Sequence, residues 1–523
     1  MKNRQFLWRL AFLVMATSIF SLPDALGLCA EPDGRRSPPF ERTWESLQQY
    51  ECPTWFRDAK FGIYAHWGPY AVPAFPTTTD WYSHYMYQPL HPIHKFHVST
   101  YGPVSEFGYK DLIPQFTAKK FDADAWAKLC AEAGARFAGP VAEHSDGFAL
   151  WDSELTEWDA MDKGPKRDVV AELEKAIRKR GLKFLTSFHH HWKWGWYATP
   201  IEDADCLDPR IAGLYGPALP EEAWAGKDEH GRKSLMAATL MPDEAFCGEW
   251  LGKVKEVVDR YHPDLIWFDN RMHLIPESYR IEMAAYFYNQ AAARNQPVVL
   301  TYKGEDVAQG AGVIDLERNR MPDIHPEPWL TDTSIARNSW SYCPKLEYYS
   351  TTRLIHDLVD IVSKNGCMLL NIAPHPDGTI PPEQIQRLHG IGEWLRINGE
   401  AIYGTRPWKT FGEGPTKTLE GHLADLKFAG FSPGDIRFTQ TRDGATLYAI
   451  VLVWPSSGPL NIRSLHQGSG EVTDVGLIGH SAELSWMQDN DGLKVNLPGK
   501  VPGKHAFVFR VTGKGLARPT DGT

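Results

Sequence analysis

Short apolar runs alternate with stretches of helical periodicity through the middle of the chain. Residues 61–65, 137–142, 183–188, 265–268, 298–302, 312–314 and 368–372 read as strands, most of them ending at a polar side chain. Between them, residues 121–133, 167–180, 249–261, 276–295, 354–363 and 384–397 place apolar residues on one helical face. Asp122 and Asp124 mark a helix start, and Gly134 and Gly181 mark helix stops. This alternation predicts an α/β domain, a (β/α)8-like TIM barrel over residues 43–405, with an open doubly wound sheet as the second architecture. No Gly-x-Gly-x-x-Gly follows any strand, which argues against dinucleotide binding.

After Asn398-Gly399-Glu400 the period shortens. Residues 436–440, 446–454, 471–477, 492–497 and 505–511 alternate, separated by Asp-Gly, Ser-Ser-Gly-Pro and Pro-Gly-Lys turns. They predict a C-terminal antiparallel β-sandwich over residues 406–515, followed by a tail at 516–523. No aromatic cluster marks a binding face there, so structural support is its expected role. At the other end Lys2, Arg4 and Arg9 precede an apolar run over residues 10–22, and Ala25-Leu26-Gly27 offers a cleavage site. Residues 1–30 read as an export signal too short to span a membrane, and 31–42 as a flexible lead-in. The expected location is secreted or periplasmic.

Composition narrows the partners. With 43% hydrophobic and 23% charged residues, a 523-residue chain can bury a large core in two or three domains. A net charge of −10 without a basic stripe excludes nucleic acid as the expected ligand. Twenty Trp and 20 Tyr supply flat faces that stack on sugar rings. The seven cysteines include no Cys-x-x-Cys pair; export makes one or two disulfides possible, while Cys130 and Cys367 read as small buried hydrophobes.

The C-terminal ends of barrel strands build active sites. Asp269, after Leu265-Ile266-Trp267-Phe268, stands where a nucleophile or general base belongs. His66, Asp80-Trp81-Tyr82 and Glu143-His144-Ser145-Asp146 lie at other strand ends or loops. In His189-His190-His191, alternate residues of an extended strand could converge on a metal, but a hydrolytic zinc site needs a third ligand and no His-Glu-x-x-His is present. No metal or other cofactor is expected. Glycosidic bond cleavage needs two carboxyl groups, and Glu317, in Asp315-Leu316-Glu317-Arg318, is the second candidate, with Arg318 or Arg320 beside it.

Together these segments resemble the α-L-fucosidases of glycoside hydrolase family 29. The resemblance is carried by Trp55-Phe56-Arg57-Asp58-Ala59-Lys60-Phe61-Gly62-Ile63 running into His66-Trp67-Gly68, and by Trp81-Tyr82 with His84-Tyr85-Met86. His144 with Asp146-Gly147-Phe148, Asp264 to Asp269, and Ser363-Lys364-Asn365-Gly366 with Leu369-Leu370-Asn371-Ile372 extend it. It implies an exo-acting, retaining hydrolase that releases terminal α-L-fucose, or a closely related sugar, from a fucosylated oligosaccharide or polysaccharide. Asp269 is then the nucleophile and Glu317 the acid/base, with His66, Asp80, Trp81, His144, Ser145, His189 and Trp267 holding the sugar. Several positions depart from the family's usual residues. Ser145 replaces a second histidine, Asp80 a glutamate, Ser187-Phe188-His189 a Tyr-Tyr-Ser strand end, and Lys303 stands near an arginine position. These departures keep open an alternative, a catalytically silent carbohydrate-binding protein on the same fold.

Overall fold

The computed structural model describes residues 39–219, 241–419 and 421–516. The proposed export signal, most of the lead-in, Cys29 and most of the tail lie outside the described residues.

Eight parallel strands form the central sheet: β1 Phe61–Ala65, β2 Phe137–Glu143, β3 Lys183–Phe188, β4 Leu265–Phe268, β5 Val299–Tyr302, β6 Val313–Ile314, β7 Trp329–Ser334 and β8 Gly366–Ile372. They follow the order β6-β5-β4-β3-β2-β1-β8-β7. A single parallel bridge, Asp315 to Leu330, joins β6 to β7 and brings the ends of the order together into a TIM-like barrel. Alternate residues sort to two sides of each strand. Tyr64, Val141, Leu185, Trp267, Leu330 and Leu369 fill the ring interior. Ile63, Phe184, Ile266, Leu300 and Leu370 join the larger core beneath the helices. At Gly139 a Cβ would meet the Leu185 carbonyl oxygen at 1.7 Å, so only glycine lets β2 and β3 approach as they do.

The helices start where side-chain caps satisfy their first amides. Asp122 caps Ala123–Glu132, Asp168 caps Val169–Lys179, Asp243 caps Glu244–Tyr261 and Ser350 caps Thr351–Ser363. One strand was not legible as a strand: β7 carries Thr331, Asp332, Thr333 and Ser334, a polar run that is nevertheless buried throughout. The helix Pro92–Tyr101 likewise lies in a stretch with no predicted element.

The C-terminal region is a sandwich of two antiparallel sheets. Strands β9 Arg406–Glu413, β10 Ile436–Gln440, β11 Leu447–Val451, β13 Glu471–Leu477 and β16 Phe507–Lys514 pair in the order β13-β16-β11-β10-β9. Strands β12 Leu460–Ile462, β14 Trp486–Asp489 and β15 Gly492–Val495 form the smaller sheet, in the order β12-β15-β14. Phe438, Ala449, Leu493, Val495 and Phe509 fill the space between them. Strands β9, β12 and β14 had no counterpart in the sequence pattern, being irregular, three residues long and half-exposed respectively. Cys52, Cys130, Cys206, Cys247, Cys343 and Cys367 are all free thiols, which corrects the disulfide expectation among the described residues. No helix of the described residues is long and apolar enough to cross a membrane.

Candidate active site

Each barrel strand delivers a polar side chain to the same end of the ring. After β1 comes His66, whose backbone NH and Nδ1 both donate to Asn371 Oδ1 on β8, at 2.9 and 2.8 Å. That pairing fixes the tautomer and leaves Nε2 as an acceptor. His144 follows β2 and His189 follows β3. The three imidazole rings lie 4.5 to 5.5 Å apart, centroid to centroid. Burial holds the pKa of His66 and of His144 well below the ordinary value, and the neighbouring His189 adds to the effect, so both rings are neutral at neutral pH. One ligand atom from each of the three falls within 4.8 Å of the others, close enough to hold a metal ion. The same atoms equally suit a row of sugar hydroxyls, to which neutral imidazoles both donate and accept.

Opposite the histidines a lysine gathers the carboxyl groups. Lys303, directly after β5, places Nζ 3.2 Å from Asp269, 3.1 Å from Glu317, 3.4 Å from Asp332 on β7 and 3.6 Å from Asp315. Trp267 lies beneath it, its ring centroid 4.7 Å from Nζ, and donates Nε1–H to Asp315 Oδ2 (3.2 Å). Burial works against the Lys303 charge, but Asp332, Glu317, Asp269 and Asp315 outweigh it and hold its pKa well above the ordinary value. The carboxyls respond unequally. Burial alone would raise Asp269, yet Lys303, His189 and His191 keep it well below the usual carboxylate range. His189 Nδ1 lies 3.4 Å from its Oδ2. Burial pushes Glu317 above its ordinary value, with Asp332 and Asp269 adding to the push and Lys303 opposing it. Two carboxyls side by side, one shifted toward its ionised form and the other toward its protonated form, are the division that acid/base chemistry on a glycoside requires.

The separation of this pair is bounded by the lysine. Asp269 and Glu317 each bond the same nitrogen, at 3.2 and 3.1 Å, so those two oxygens lie no farther apart than both contacts end to end, about 6.3 Å. That is shorter than the roughly 6.5–9.5 Å of inverting glycosidases and admits the roughly 5–5.5 Å of retaining ones.

A cavity of about 240 Å³ opens over these groups. His66, Asp80, Trp81, His144, His189, Trp267, Asp269 and Glu317 all line it. Ser145 does not; it is buried outside the lining, where the chain turns after His144. His191 also stands apart. The chain leaves β3 into a 3-10 turn at His190–Lys193, so alternate residues no longer share a face, and His191 Nε2 donates to the Asn270 carbonyl (2.7 Å). Neither predicted arginine partners Glu317: Arg318 reaches the Ala336 carbonyl, and Arg320 reaches Asp357 and Asp360.

Sequence reasoning missed Lys303 as the hub, together with Tyr64, Asp332, Trp340 and His422, which also line the cavity. Tyr64 OH donates to Asp332 Oδ2 (3.1 Å), tying β1 to β7 across the ring. The signal that could have found Asp332 is its place in a polar run between Leu330 and Ile335, unusual for a segment that must be buried on both faces.

Residues 28–400 match the Alpha-L-fucosidase family, and residues 431–512 match the Alpha-L-fucosidase C-terminal domain. The tissue alpha-L-fucosidase of Rattus norvegicus is 32% identical over 506 residues, covering 94% of this chain and 97% of its own. That of Homo sapiens is 31% identical, covering 92% and 94%. Among solved structures, the Thermotoga maritima alpha-fucosidase in complex with fucose superimposes with a TM-score of 0.70 at 27% identity, over 90% of this chain and all of that one. The chain belongs to the alpha-L-fucosidase family.

Proposed function

We propose that the protein is an exo-acting, retaining α-L-fucosidase that removes terminal α-L-fucose, or a closely related sugar, from fucosylated oligosaccharides or polysaccharides. The observation that carries this reading is the carboxyl pair around Lys303, one member held ionised and the other held toward its protonated form. In the first step Glu317 gives its proton to the glycosidic oxygen while Asp269 attacks the anomeric carbon. The leaving group departs and a fucosyl ester forms on Asp269. Esterification removes the Asp269 charge, one of the groups that raise the Glu317 pKa, so that pKa falls and Glu317 stays ionised, free to take a proton from water in the second step. Water then attacks the anomeric carbon, the ester bond breaks, and fucose leaves with its configuration retained. His66, His144, His189 and Asp80 hold the sugar hydroxyls, and Trp81 and Trp267 border the ring. No step requires a metal or other cofactor.

The names of the relatives support this reading, as does the coverage of nearly the whole chain. We assign catalysis to residues 43–405, support to the sandwich at 406–515, and export to residues 1–30, which makes the enzyme secreted or periplasmic. A silent binding protein would have no need to keep both carboxyls apart in protonation at one cavity. The test is turnover of an aryl α-L-fucoside. Wild type hydrolyses it, and Asp269→Ala loses about 10³-fold or more in kcat, with partial rescue by azide. Undiminished turnover by the variant removes Asp269 as nucleophile; sugar binding by wild type without any hydrolysis would establish the silent protein instead.

A further inference from the structure

The chain between β9 and β10 returns to the rim of the barrel and lies along the loop that carries Glu317. The Gly421 amide donates to Asn319 Oδ1 (3.1 Å), Leu423 to the Glu317 carbonyl (3.5 Å) and Asp425 to the Arg318 carbonyl (3.0 Å). Asp425 is buried and accepts from Thr333 Oγ1 on β7 (2.8 Å). Its own carbonyl takes an Arg353 guanidinium NH (3.0 Å). Leu423 is held at φ 57°, in the left-handed region, a conformation that persists where the surroundings over-determine it. Between the bonded amides of Gly421 and Leu423 stands His422. It lines the cavity yet is exposed, and its imidazole has no hydrogen-bond partner among the described residues.

We propose that His422 is the contact for the sugar to which the fucose is attached, making this linker the leaving-group subsite. This rests on the reading of Glu317 as the acid. An acid must reach the glycosidic oxygen, so the departing sugar lies on its side of the cavity, and His422 is fastened to the Glu317 loop itself. An imidazole offers one donor and one acceptor, which suits adjacent hydroxyls of a neutral sugar. The other polar groups of the cavity belong to the barrel strands and loops and surround the reacting centre. The barrel thus binds the fucose, which becomes the Asp269 ester in the first step, and the linker to the sandwich binds the sugar that leaves.

The experiment compares kcat/KM for α-L-fucosyl fluoride, whose leaving group is a single atom, with that for the best-cleaved fucosyl disaccharide among the α-1,2, α-1,3, α-1,4 and α-1,6 linkages. His422→Ala lowers the disaccharide value about tenfold and leaves the fluoride value within about twofold, and His422→Gln recovers part of the loss. Equal losses on both substrates, or no loss on either, overturn the subsite. Wild type that consumes the fluoride but no disaccharide also overturns it, because the leaving group would then not be a sugar. Wild type inactive on the fluoride fails the fucosidase reading itself, and is told apart by that control.

Discussion

Lys303 is the residue on which the electrostatics of the cavity turn, since its ammonium contacts four carboxyl groups within 3.6 Å. A lysine offers three donors to these four acceptors as a compact point charge, where an arginine would offer a planar fork. Removing the charge disfavours every nearby carboxylate, so the pKa values of both Asp269 and Glu317 rise. With Asp269 as the proposed nucleophile and Glu317 as the proposed acid, the acidic limb of the kcat/KM profile follows ionisation of Asp269 and the basic limb follows loss of the Glu317 proton. Lys303→Met therefore moves both limbs toward higher pH, by about one unit or more, while the maximum falls about a hundredfold. A profile that keeps its limbs, or moves them to lower pH, would show that Lys303 does not set this pair. Asp269 was legible in the sequence because a strand end is a position that local pattern defines. The hub was not, because Lys303, Asp315, Glu317 and Asp332 follow or lie on three different strands and meet only once the ring is formed.

At the scale of elements, periodicity located seven of the eight barrel strands, because each packs apolar side chains against a helix. Strand β7 escaped for the reason that makes it useful: its interior-facing side carries Asp332 into the cavity rather than another aliphatic group into the core. The loops above the strands were legible as motifs but not as contacts, and Asp80 shows why. Its Oδ1 accepts from Thr78 Oγ1 (2.8 Å), Ser339 Oγ (2.8 Å) and the Trp340 amide (3.4 Å), so this one carboxylate fastens a distant arm of chain over the site. That arm begins and ends at the bridge between Ala336 and Tyr348, and presents Trp340 to the cavity. Asp80→Ala leaves the Trp340 amide without its acceptor and Ser339 Oγ with the Ser341 carbonyl alone (2.8 Å), at a cost of about 1–3 kcal/mol. The expected outcome is a ten- to hundredfold loss in kcat/KM, carried mostly by KM, with faster amide exchange confined to residues 336–348. Exchange that is unchanged there, whatever the kinetics, would mean that Asp80 only touches sugar and braces nothing.

Across the whole molecule, barrel and sandwich share a buried ionic clamp that also reaches the Glu317 loop. Asp360, on the helix Thr351–Ser363, accepts from Arg437 Nε of β10 (2.6 Å) and lies 3.3 Å from Arg320 and 3.1 Å from Lys364. Arg320 is three residues beyond Glu317, so the sandwich is tied to the loop that holds the proposed acid. Burial alone would raise the Asp360 pKa, but Lys364, Arg437 and Arg320 overcome it and hold the carboxyl below its ordinary value. The unfolded chain then binds the proton more readily than the native one, so this contribution to stability is present above about pH 4 and is lost as pH falls through the folded-state value. Removing one partner of a buried pair costs about 3 kcal/mol, because the remaining charges stay desolvated. Arg437→Met should therefore lower Tm clearly at pH 6. It should also raise the folded pKa of Asp360 toward its unfolded value, so that the variant has less to lose on acidification. The Tm difference from wild type should then narrow between pH 6 and pH 3. A difference that holds constant or widens toward acid would place the stabilising role of Arg437 in its packing against Phe411 and Phe431, whose ring centroids lie 5.3 and 4.8 Å from the guanidinium, rather than in its bond to Asp360.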